Sequence, residues 1–537
     1  MNNDKKIIVI LSISLVLIVG LIVYSNRSSI FGISTSKDEA TSASIVESTK
    51  SASTMNEDID FSKYKTTEVN LSGSYKIISG GVYHFTGSIT NGSITVDTDE
   101  NVKIILDNVS ITNVGGPAVY IISSNNTYIE LIGENILECT TTDELDGCIY
   151  SKDDLLIYGD GTLNIKSNYD GIASKDDLII KSGTYIIETD DDGIRGKDSL
   201  TIHDGIFNIN SNGDALKTTN EEEKGSLVIE AGIFDIISNE DGLDSISTIN
   251  ISGGTFNIKT SGSSAKGIKA ESDILITDGT FNIYSEDDSI HSNSNISIEG
   301  GTYAISTNDD GIHSDGTLII ENATMNIEKS HEGLEGSYII INSGDIKIYA
   351  DDDGINVSGG NDSTTSGYGR DMFSVQDGYL KITGGTIYVN SKGDGLDSNG
   401  SIYITGGTTY VDGPTDNGNG ALDYNGSCEI TGGTLIAVGS SGMAETASSA
   451  TQPTIRINLS NMYSGTLTFG SITYTPSKSY QSVVISSSEF TLGDTYTLNI
   501  NGEDVTNVTI SNNITNSGNF GIGGGMQGGM TNQRMRR

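Results

Sequence analysis

The chain has 537 residues, enough for a large core or several domains, and it is strongly acidic: 71 Asp and Glu oppose 30 Lys and Arg, for a formal net charge of −41. This excess of negative charge excludes nucleic acid and anionic membrane surfaces as partners of the folded part, because like charges repel. It suits divalent cations, or it keeps a wall-facing protein in solution. With 66 Gly, four Pro and no Trp, the composition is typical of a turn-rich all-β chain.

The three cysteines are Cys139, Cys148 and Cys428. They show no CxxC spacing and are odd in number, so the sequence predicts neither a disulfide framework nor a zinc site. Cys148 lies at a turn and is interpreted as a small core residue.

Residues 1–26 are typical of a signal anchor or a signal peptide. Two lysines precede Ile7–Tyr24, an almost wholly apolar stretch just long enough to span a bilayer. The length of this stretch favours an uncleaved anchor, which would hold the chain on the outer face of a bacterial membrane; cleavage would make the protein secreted. Residues 27–64 are rich in Ser, Thr, Ala and charged residues without an apolar period, and they predict a disordered stalk.

One unit recurs through residues 65–445, and Asp192-Gly193-Ile194 opens a representative copy of it. The turn is followed by an apolar pair, a Gly-rich turn and a second apolar pair. Its first residue recurs at steps that are mostly at or near 22 residues. The recurring positions are Asp146, Asp170, Asp192, Asp214, Asp241, Lys266, Asp288, Asp310, Glu332, Asp353 and Asp394. A repeat of this period indicates a solenoid.

The alternation inside the unit predicts which solenoid forms. Apolar residues two apart, such as Leu200/Ile202 and Phe256/Ile258, lie between Gly, Asp and Ser, which is a pattern of strands and not of helices. We therefore predict an all-β fold, a parallel β-helix with three short strands in each coil of about 22 residues and coils about 4.8 Å apart. Residues 446–511 lack the Asp-Gly period and predict a small C-terminal β cap over the open sheet edge. Residues 512–537 predict a disordered Gly/Met/Arg-rich tail.

Stacking in register turns the Asp-Gly position into a ladder of carboxylates. Like charges at one strand spacing repel unless they are screened, protonated or bridged by a cation. Ca²⁺ takes about six to eight oxygen ligands in flexible geometry, so several calcium ions are expected. The predicted ligands are Asp153, Asp154, Asp170, Asp176, Asp177, Asp191, Asp192, Asp287, Asp288, Asp309, Asp310, Asp352 and Asp353. The alternative is that Asp before Gly only favours these turns through its own hydrogen bonds.

A second column lies three residues after the ladder, and its apolar neighbours predict that it projects from the outer surface. In a chain poor in bases it contains a mostly basic strip: Arg195, Lys217, Lys269, His291 and His313. Beside bound calcium, such a strip would bind the carboxylates of an acidic polysaccharide. The alternative is that each base pairs with a neighbouring acid. Tyr388, Tyr403 and Tyr410 are predicted to face outward and to add a surface on which sugars stack.

Three consecutive stretches carry a family resemblance: Ile149–Leu155, Tyr169–Leu178 and Asp191–Ser199. They closely resemble the clostridial carbohydrate-binding parallel β-helix proteins, which are pectate-lyase-like surface proteins that bind cellulose and polygalacturonate. The resemblance covers roughly residue 65 to the end. It implies a right-handed β-helix, bound calcium and binding of acidic polysaccharide without established catalysis, and it assigns no calcium ligands residue by residue.

Three functions remain open at this point. The favoured one is a non-catalytic, calcium-binding polysaccharide binder on the cell surface, acting as a monomer. A calcium-dependent polysaccharide lyase is the enzymatic alternative, with Arg195 as its base beside Asp170, Asp191 and Asp192. A structural spacer or adhesin is the third, and it predicts no affinity for sugar.

Overall fold

The computed structural model describes residues 55–221, 224–358 and 375–518. The predicted anchor of residues 1–26 and the last residues of the predicted tail, from 519, lie outside these ranges. Within them, the one helix is a single 3-10 turn, Phe61–Lys63. No helix in the described part is long and apolar enough to cross a bilayer.

The described chain is a parallel β-solenoid, as the repeat predicted. Each regular coil contributes three strands, and each strand pairs in parallel with its equivalent on the next coil. On the first face Ile172 lies opposite Ile194, on the second Leu178 lies opposite Leu200, and on the third Tyr185 lies opposite Phe207. These partners are one 22-residue repeat apart, so one sequence repeat forms one coil of the solenoid.

Strands of this solenoid are short because turns interrupt each coil three times. The early coils contain β1 (Thr66–Leu71), β2 (Tyr75–Ile77), β3 (Gly81–Ile89), β4 (Ile94–Asp97), β5 (Val102–Val114), β6 (Val119–Ser123), β7 (Thr127–Ile132) and β8 (Glu134–Thr140). The following coils contain β9 (Gly147–Ser151), β10 (Leu155–Gly159), β11 (Thr162–Ser167), β12 (Asp170–Ser174), β13 (Asp177–Ile180), β14 (Thr184–Thr189), β15 (Ile194–Gly196), β16 (Ser199–Ile202), β17 (Ile206–Ser211), β18 (Leu216–Thr218), β19 (Ser226–Ile229), β20 (Ile233–Ser238), β21 (Leu243–Ser245), β22 (Ile249–Ile251) and β23 (Thr255–Thr260). The solenoid continues through β24 (Ile268–Ala270), β25 (Ile274–Ile276), β26 (Thr280–Ser285), β27 (Ile290–Ser292), β28 (Ile296–Ile298), β29 (Thr302–Thr307), β30 (Ile312–Ile320), β31 (Ala323–Ser330), β32 (Leu334–Ile341), β33 (Gly344–Ala350), β34 (Ile355–Val357), β35 (Tyr379–Ile382), β36 (Thr386–Ser391), β37 (Leu396–Ser398), β38 (Ser401–Ile404), β39 (Thr408–Asp412), β40 (Leu422–Tyr424), β41 (Cys428–Ile430) and β42 (Thr434–Gly439).

The C-terminal strands close the end of the solenoid. They are β43 (Ser449–Ala450), β44 (Thr454–Tyr463), β45 (Leu467–Phe469), β46 (Ile472–Tyr474), β47 (Tyr480–Ser486), β48 (Thr495–Ile500), β49 (Glu503–Thr509) and β50 (Ile514–Gly518). Strand β47 pairs antiparallel with β42, which covers the last open edge of the third face. Strand β50 pairs with β44, so the residues that form β50 belong to the cap and not to the predicted disordered tail.

The interior is a continuous apolar core in which equal residues stack on equal residues. The clearest case is a run of six rings on the third face: Tyr185, Phe207, Phe234, Phe256, Phe281 and Tyr303. Neighbouring ring centroids lie 4.9, 4.7, 4.6, 4.8 and 4.8 Å apart, with planes within 6° of parallel. The strand spacing imposes this offset stacking, which buries both faces of each internal ring.

The last residues of the predicted stalk are folded. Met55 is buried and packs with Tyr128 and Ile179 on the outer surface of the second face. The Tyr128 hydroxyl donates a hydrogen bond to the carbonyl oxygen of Asn56 at 2.5 Å. The prediction of disorder is therefore wrong for residues 55–64, because a few apolar residues in that polar stretch find an apolar patch on the solenoid.

One disulfide corrects the cysteine prediction. Cys139 at the end of β8 and Cys148 in β9 form a disulfide, with their Cα atoms 5.5 Å apart. The turn between the two strands brings together residues whose spacing matches no sequence motif. Cys428 is a free, buried thiol.

The stacked rings allow a matched test of the core on one strand. Phe234 points into the ring stack, whereas Ile237 on the same strand is half exposed. We expect Phe234→Ala to lower the free energy of unfolding by about 3–5 kcal/mol, since it removes a buried ring and leaves a cavity. Ile237→Ala should change it by less than about 0.5 kcal/mol. Chemical denaturation of both variants measures the difference, and equal losses would contradict this account of the core.

Candidate functional site

The carboxylate ladder runs along the turn before the first face, and it is built into the backbone. In seven ladder Asp residues one oxygen accepts a hydrogen bond from the backbone N–H of the next ladder residue. The distances are 3.2 Å for Asp170 to Asp192, 2.9 Å for Asp192 to Asp214, 2.7 Å for Asp214 to Asp241, 2.7 Å for Asp241 to Lys266, 3.1 Å for Asp288 to Asp310, 2.9 Å for Asp310 to Glu332 and 2.5 Å for Asp353 to Asp394. The ladder side chains therefore form hydrogen bonds between neighbouring coils, whereas the alternative interpretation expected hydrogen bonds within each turn.

A glycine follows most ladder residues, where the next coil approaches closely; Ala215 and Ser289 stand in its place after Asp214 and Asp288. A Cβ at Gly171 would lie 2.6 Å from the carbonyl oxygen of Gly193, and one at Gly193 would lie 2.6 Å from that of Ala215. A side chain at either of these two glycines would force the backbone of the next coil to shift. Asp-Gly recurs because the Asp bonds the coil ahead while the Gly makes room for it.

The basic column does leave the sheet on the outer side, but the prediction that it forms an open strip is wrong for Arg195, His291 and His313, which are buried. The Arg195 guanidinium Nη2 lies 2.5 Å from Asp170 Oδ2 and 2.7 Å from Asp146 Oδ2. The ladder explains this burial, because its second carboxylate oxygens draw the bases against the turn. The alternative interpretation, pairing of each base with neighbouring acids, describes the geometry.

Lys217 and Lys269 remain partly open to solvent, at 24% and 27% exposure of their side chains. Lys217 Nζ lies 2.7 Å from Asp214 Oδ2, and Lys269 Nζ lies 3.2 Å from Asp244 Oδ1. Burial lowers the lysine pKa, but these carboxylates outweigh it and raise the pKa of Lys217 above its usual range. The role of this column in carbohydrate binding remains a prediction, with these two lysines as its accessible members.

Beyond His313 the column has no base in the described residues and continues as Glu335, Asn356, Asp397 and Asp423. Burial, together with Asp353, Asp394 and Asp423, raises the pKa of Asp397 to about 8. Burial and neighbouring acids likewise raise the pKa of Asp394 to about 7. These two carboxyl groups therefore hold a proton more tightly than exposed carboxyl groups do.

The predicted calcium ligands fall into several separate places. Asp154, Asp176 and Asp177 form one cluster and Asp170, Asp191 and Asp192 another, each with one oxygen per residue within 4.8 Å of the others. Asp153 accepts a hydrogen bond from the backbone of Ser124 at 2.7 Å. Asp287 and Asp288 are paired with Lys266 at 2.9 and 3.2 Å. The side chain of Asp352 is half exposed and lies near His331. Burial raises the pKa of Asp309.

Two of the three tyrosines predicted to offer a surface for sugar stacking, Tyr388 and Tyr410, are instead engaged by the cap. Tyr388 donates a hydrogen bond to Asp412, and Tyr410 stacks on Tyr474 of the cap with centroids 4.9 Å apart. Their surface is taken by the cap, which the sequence pattern did not place on the third face.

Tyr403 instead joins Tyr338 and Tyr379, two tyrosines that sequence reasoning missed, on the outer surface of the second face. The Tyr338–Tyr379 and Tyr379–Tyr403 centroids lie 5.1 and 5.9 Å apart. Tyr338 and Tyr379 occupy equivalent positions on adjacent coils, and this equivalence is the sequence signal that could have identified them. The insertion between the two residues obscures it in the sequence.

The acidic end of the column makes stability depend on pH. The pKa of Asp397 is about 8 in the folded chain against about 3.9 unfolded, so the folded state holds the proton more tightly. Without added cations, the free energy of unfolding should fall as pH rises from about 4 to 8, by on the order of 1 kcal/mol per pH unit for such a group. Asp397→Asn should flatten this dependence and be more stable than the unmodified chain at pH 8. Denaturation at several pH values in chelator measures it; parallel profiles for the two proteins would contradict it.

Comparison with known proteins places this geometry in a family. A family model described as "Carbohydrate-binding domain-containing protein" matches residues 72–311 and 306–528. A curated protein of the same description from Acetivibrio thermocellus is 32% identical over 143 residues, which are 23% of this chain and 50% of the relative. The match thus spans half the length of that relative.

A solved structure described as "Structure of the polysaccharide lyase-like protein from C. thermocellum, Gadolinium derivative" is 28% identical, with a TM-score of 0.37. It covers 39% of this chain and 96% of that one. The family match extends over most of the solenoid and its cap, and the chain belongs to the family of carbohydrate-binding domain-containing proteins.

Proposed function

We propose that the chain binds polysaccharide outside the cytoplasm without cleaving it. The observation that carries this proposal is the state of Arg195, the base that a lyase would need. Its guanidinium is held between Asp146 and Asp170 at 2.7 and 2.5 Å, and its side chain is 9% exposed. Burial lowers the pKa of Arg195, but the paired carboxylates outweigh it and raise the pKa above its usual value. A general base requires the opposite shift and access to the substrate.

Calcium is proposed as a ligand of the cluster formed by Asp154, Asp176 and Asp177. Burial, followed by the neighbouring Asp176 and Asp177, raises the pKa of Asp154 to about 6. Burial and Asp198 raise the pKa of Asp176 to about 6 as well. Asp154 and Asp176 are partly exposed, which leaves room for the water and polymer oxygens that calcium also accepts. The donor set therefore fits the ion, and the ion would supply positive charge for a uronate carboxylate.

The tyrosine cluster Tyr338, Tyr379 and Tyr403 is proposed as the surface for neutral faces of the sugar rings. All three side chains are partly exposed on the second face. Aromatic rings offer a flat apolar surface with a polar edge, which suits a sugar chain such as cellulose or polygalacturonate. The two surfaces together would accept a polymer through its carboxylates and through its rings.

An extracellular location is also proposed. The Cys139–Cys148 disulfide persists in an oxidising compartment and is rare in the cytosol. Together with the apolar stretch at residues 7–24, it supports a chain exported from the cell and held at the membrane when the N-terminal segment is not cleaved.

The calcium proposal predicts retention on an acidic polymer that depends on the ion. The full-length chain should be retained on insoluble polygalacturonate with calcium and released by chelator, and the supernatant should contain no unsaturated sugar ends. Asp176→Asn should weaken calcium-dependent retention, while Asp345→Asn, on strand β33 of the third face, should leave it unchanged. Unsaturated product would favour the lyase, and the absence of retention on polygalacturonate or cellulose would favour a structural spacer.

The tyrosine proposal has its own matched pair of variants. Tyr379→Ala should weaken binding to cellulose by about tenfold, equivalent to ~1.4 kcal/mol, because it removes the central ring of the cluster. Tyr284→Ala removes an exposed tyrosine of the third face and should leave the affinity unchanged. Depletion of protein from solution at increasing cellulose concentration measures both. Equal affinities for the unmodified chain and Tyr379→Ala would reject the cluster as a sugar surface.

A further inference from the structure

A second kind of metal site is suggested where the column changes from bases to acids. Asp310, His313 and Glu335 meet at strands β30 and β32, and all three side chains are buried, His313 at 1% exposure. One potential ligand atom from each lies within 4.8 Å of the others. The site includes an imidazole, which distinguishes it from the all-oxygen clusters proposed for calcium.

The separations at this site are those of atoms around an ion. His313 Nδ1 lies 3.5 Å from Glu335 Oε2 and 3.6 Å from Asp310 Oδ2. Both exceed the usual N–H···O range of about 2.7–3.2 Å. Zinc ligands at about 2.0–2.2 Å in a tetrahedron lie about 3.3–3.6 Å from one another. The His313 nitrogen is thus spaced from each carboxylate oxygen as two ligands of one small dication would be, and the two carboxylate oxygens lie within 4.8 Å of each other.

The cluster around Asp288 on the preceding coil is held by shorter contacts. Asp288 accepts hydrogen bonds from His291 Nδ1 at 2.8 Å and from the backbone of Asp310 at 3.1 Å, and Lys266 Nζ lies 3.2 Å away. At Asp310 and Glu335, by contrast, the nearest base is His313, and no lysine or arginine of the described residues lies within 4.0 Å of either carboxylate. The two sites therefore differ in whether their charge is balanced.

Two surrounding groups fit a bound ion at His313. The other ring nitrogen, Nε2, lies 3.4 Å from Asp315 Oδ1, and a carboxylate in this position orients a metal-binding imidazole. On the next coil, the buried side chain of Asn356 donates from Nδ2 to Glu332 Oε2 at 2.7 Å. Its Oδ1 is buried and has no hydrogen-bond partner among the described residues. An orphaned oxygen beside Glu335 is a further potential ligand.

The ligand chemistry selects the class of metal. Calcium prefers oxygen ligands, whereas imidazole suits zinc and other transition metals. A dication would also offset the two carboxylates, which otherwise lie buried side by side. We propose that Asp310, His313 and Glu335 bind a transition-metal dication of the zinc type, at a site separate from the proposed calcium cluster. This replaces the calcium role predicted for Asp310 and does not depend on carbohydrate binding.

The test uses the full-length chain, stripped of metal and titrated with Zn²⁺ in the presence of excess Ca²⁺. We expect zinc to bind and to raise the melting temperature, because an ion that binds only the folded state stabilises it. His313→Gln and Glu335→Gln should each weaken zinc binding by more than about tenfold. His291→Gln, a matched buried histidine one coil away, and His331→Gln, a half-exposed one, should leave it unchanged.

X-ray absorption of the unmodified zinc-loaded chain keeps the proposal testable if a variant does not fold. The expected spectrum has one imidazole nitrogen among oxygen ligands. Two imidazoles, or loss of zinc binding in His291→Gln, would move the ion to Asp288 and overturn the proposal. Spectra without imidazole, or displacement of zinc by calcium at comparable concentration, would overturn it as well.

Discussion

Parallel stacking of coils in strict register is the constraint on which the rest of this structure depends. Each strand pairs with the strand one repeat later, so every side chain meets its own equivalent about 4.8 Å away. For apolar positions this is favourable, as the ring stack from Tyr185 to Tyr303 shows. For charged positions it is costly, since the same rule aligns like charges.

The protein balances the acidic ladder in three ways along its length. The coils at Arg195 and Lys217 place a base against each pair of carboxylates. The coil at Asp288 uses a lysine and a histidine together. The later coils, from Asp310 onward, have mainly acids, with raised pKa values at Asp310 and Asp397. One repeated scaffold therefore offers different cation chemistry at different positions along the solenoid axis.

In this architecture the outward-facing columns of side chains are available for binding, whereas the inward-facing columns and the Asp-Gly turns maintain the coil. In most ladder carboxylates one oxygen accepts a hydrogen bond from the backbone of the next coil, so the other oxygen is available to a base or an ion. The partly exposed cluster at Asp154 and the tyrosines around Tyr379 lie outside this framework. Substitution at those positions is therefore expected to alter binding more than folding.

The solenoid, its 22-residue coil and the position of the carboxylate ladder follow from the repeat alone, because a period fixes which residues stack. The repeat also located the column of Arg195 and His313. Three features appear only in the folded chain: the burial of these bases against the ladder, the pairing of Cys139 with Cys148, and the packing of residues from Met55 onto the second face. The physical reason is that periodicity specifies neighbours along the axis. Contacts across turns, between distant segments and around the cap depend on side-chain packing in three dimensions, which no repeat encodes.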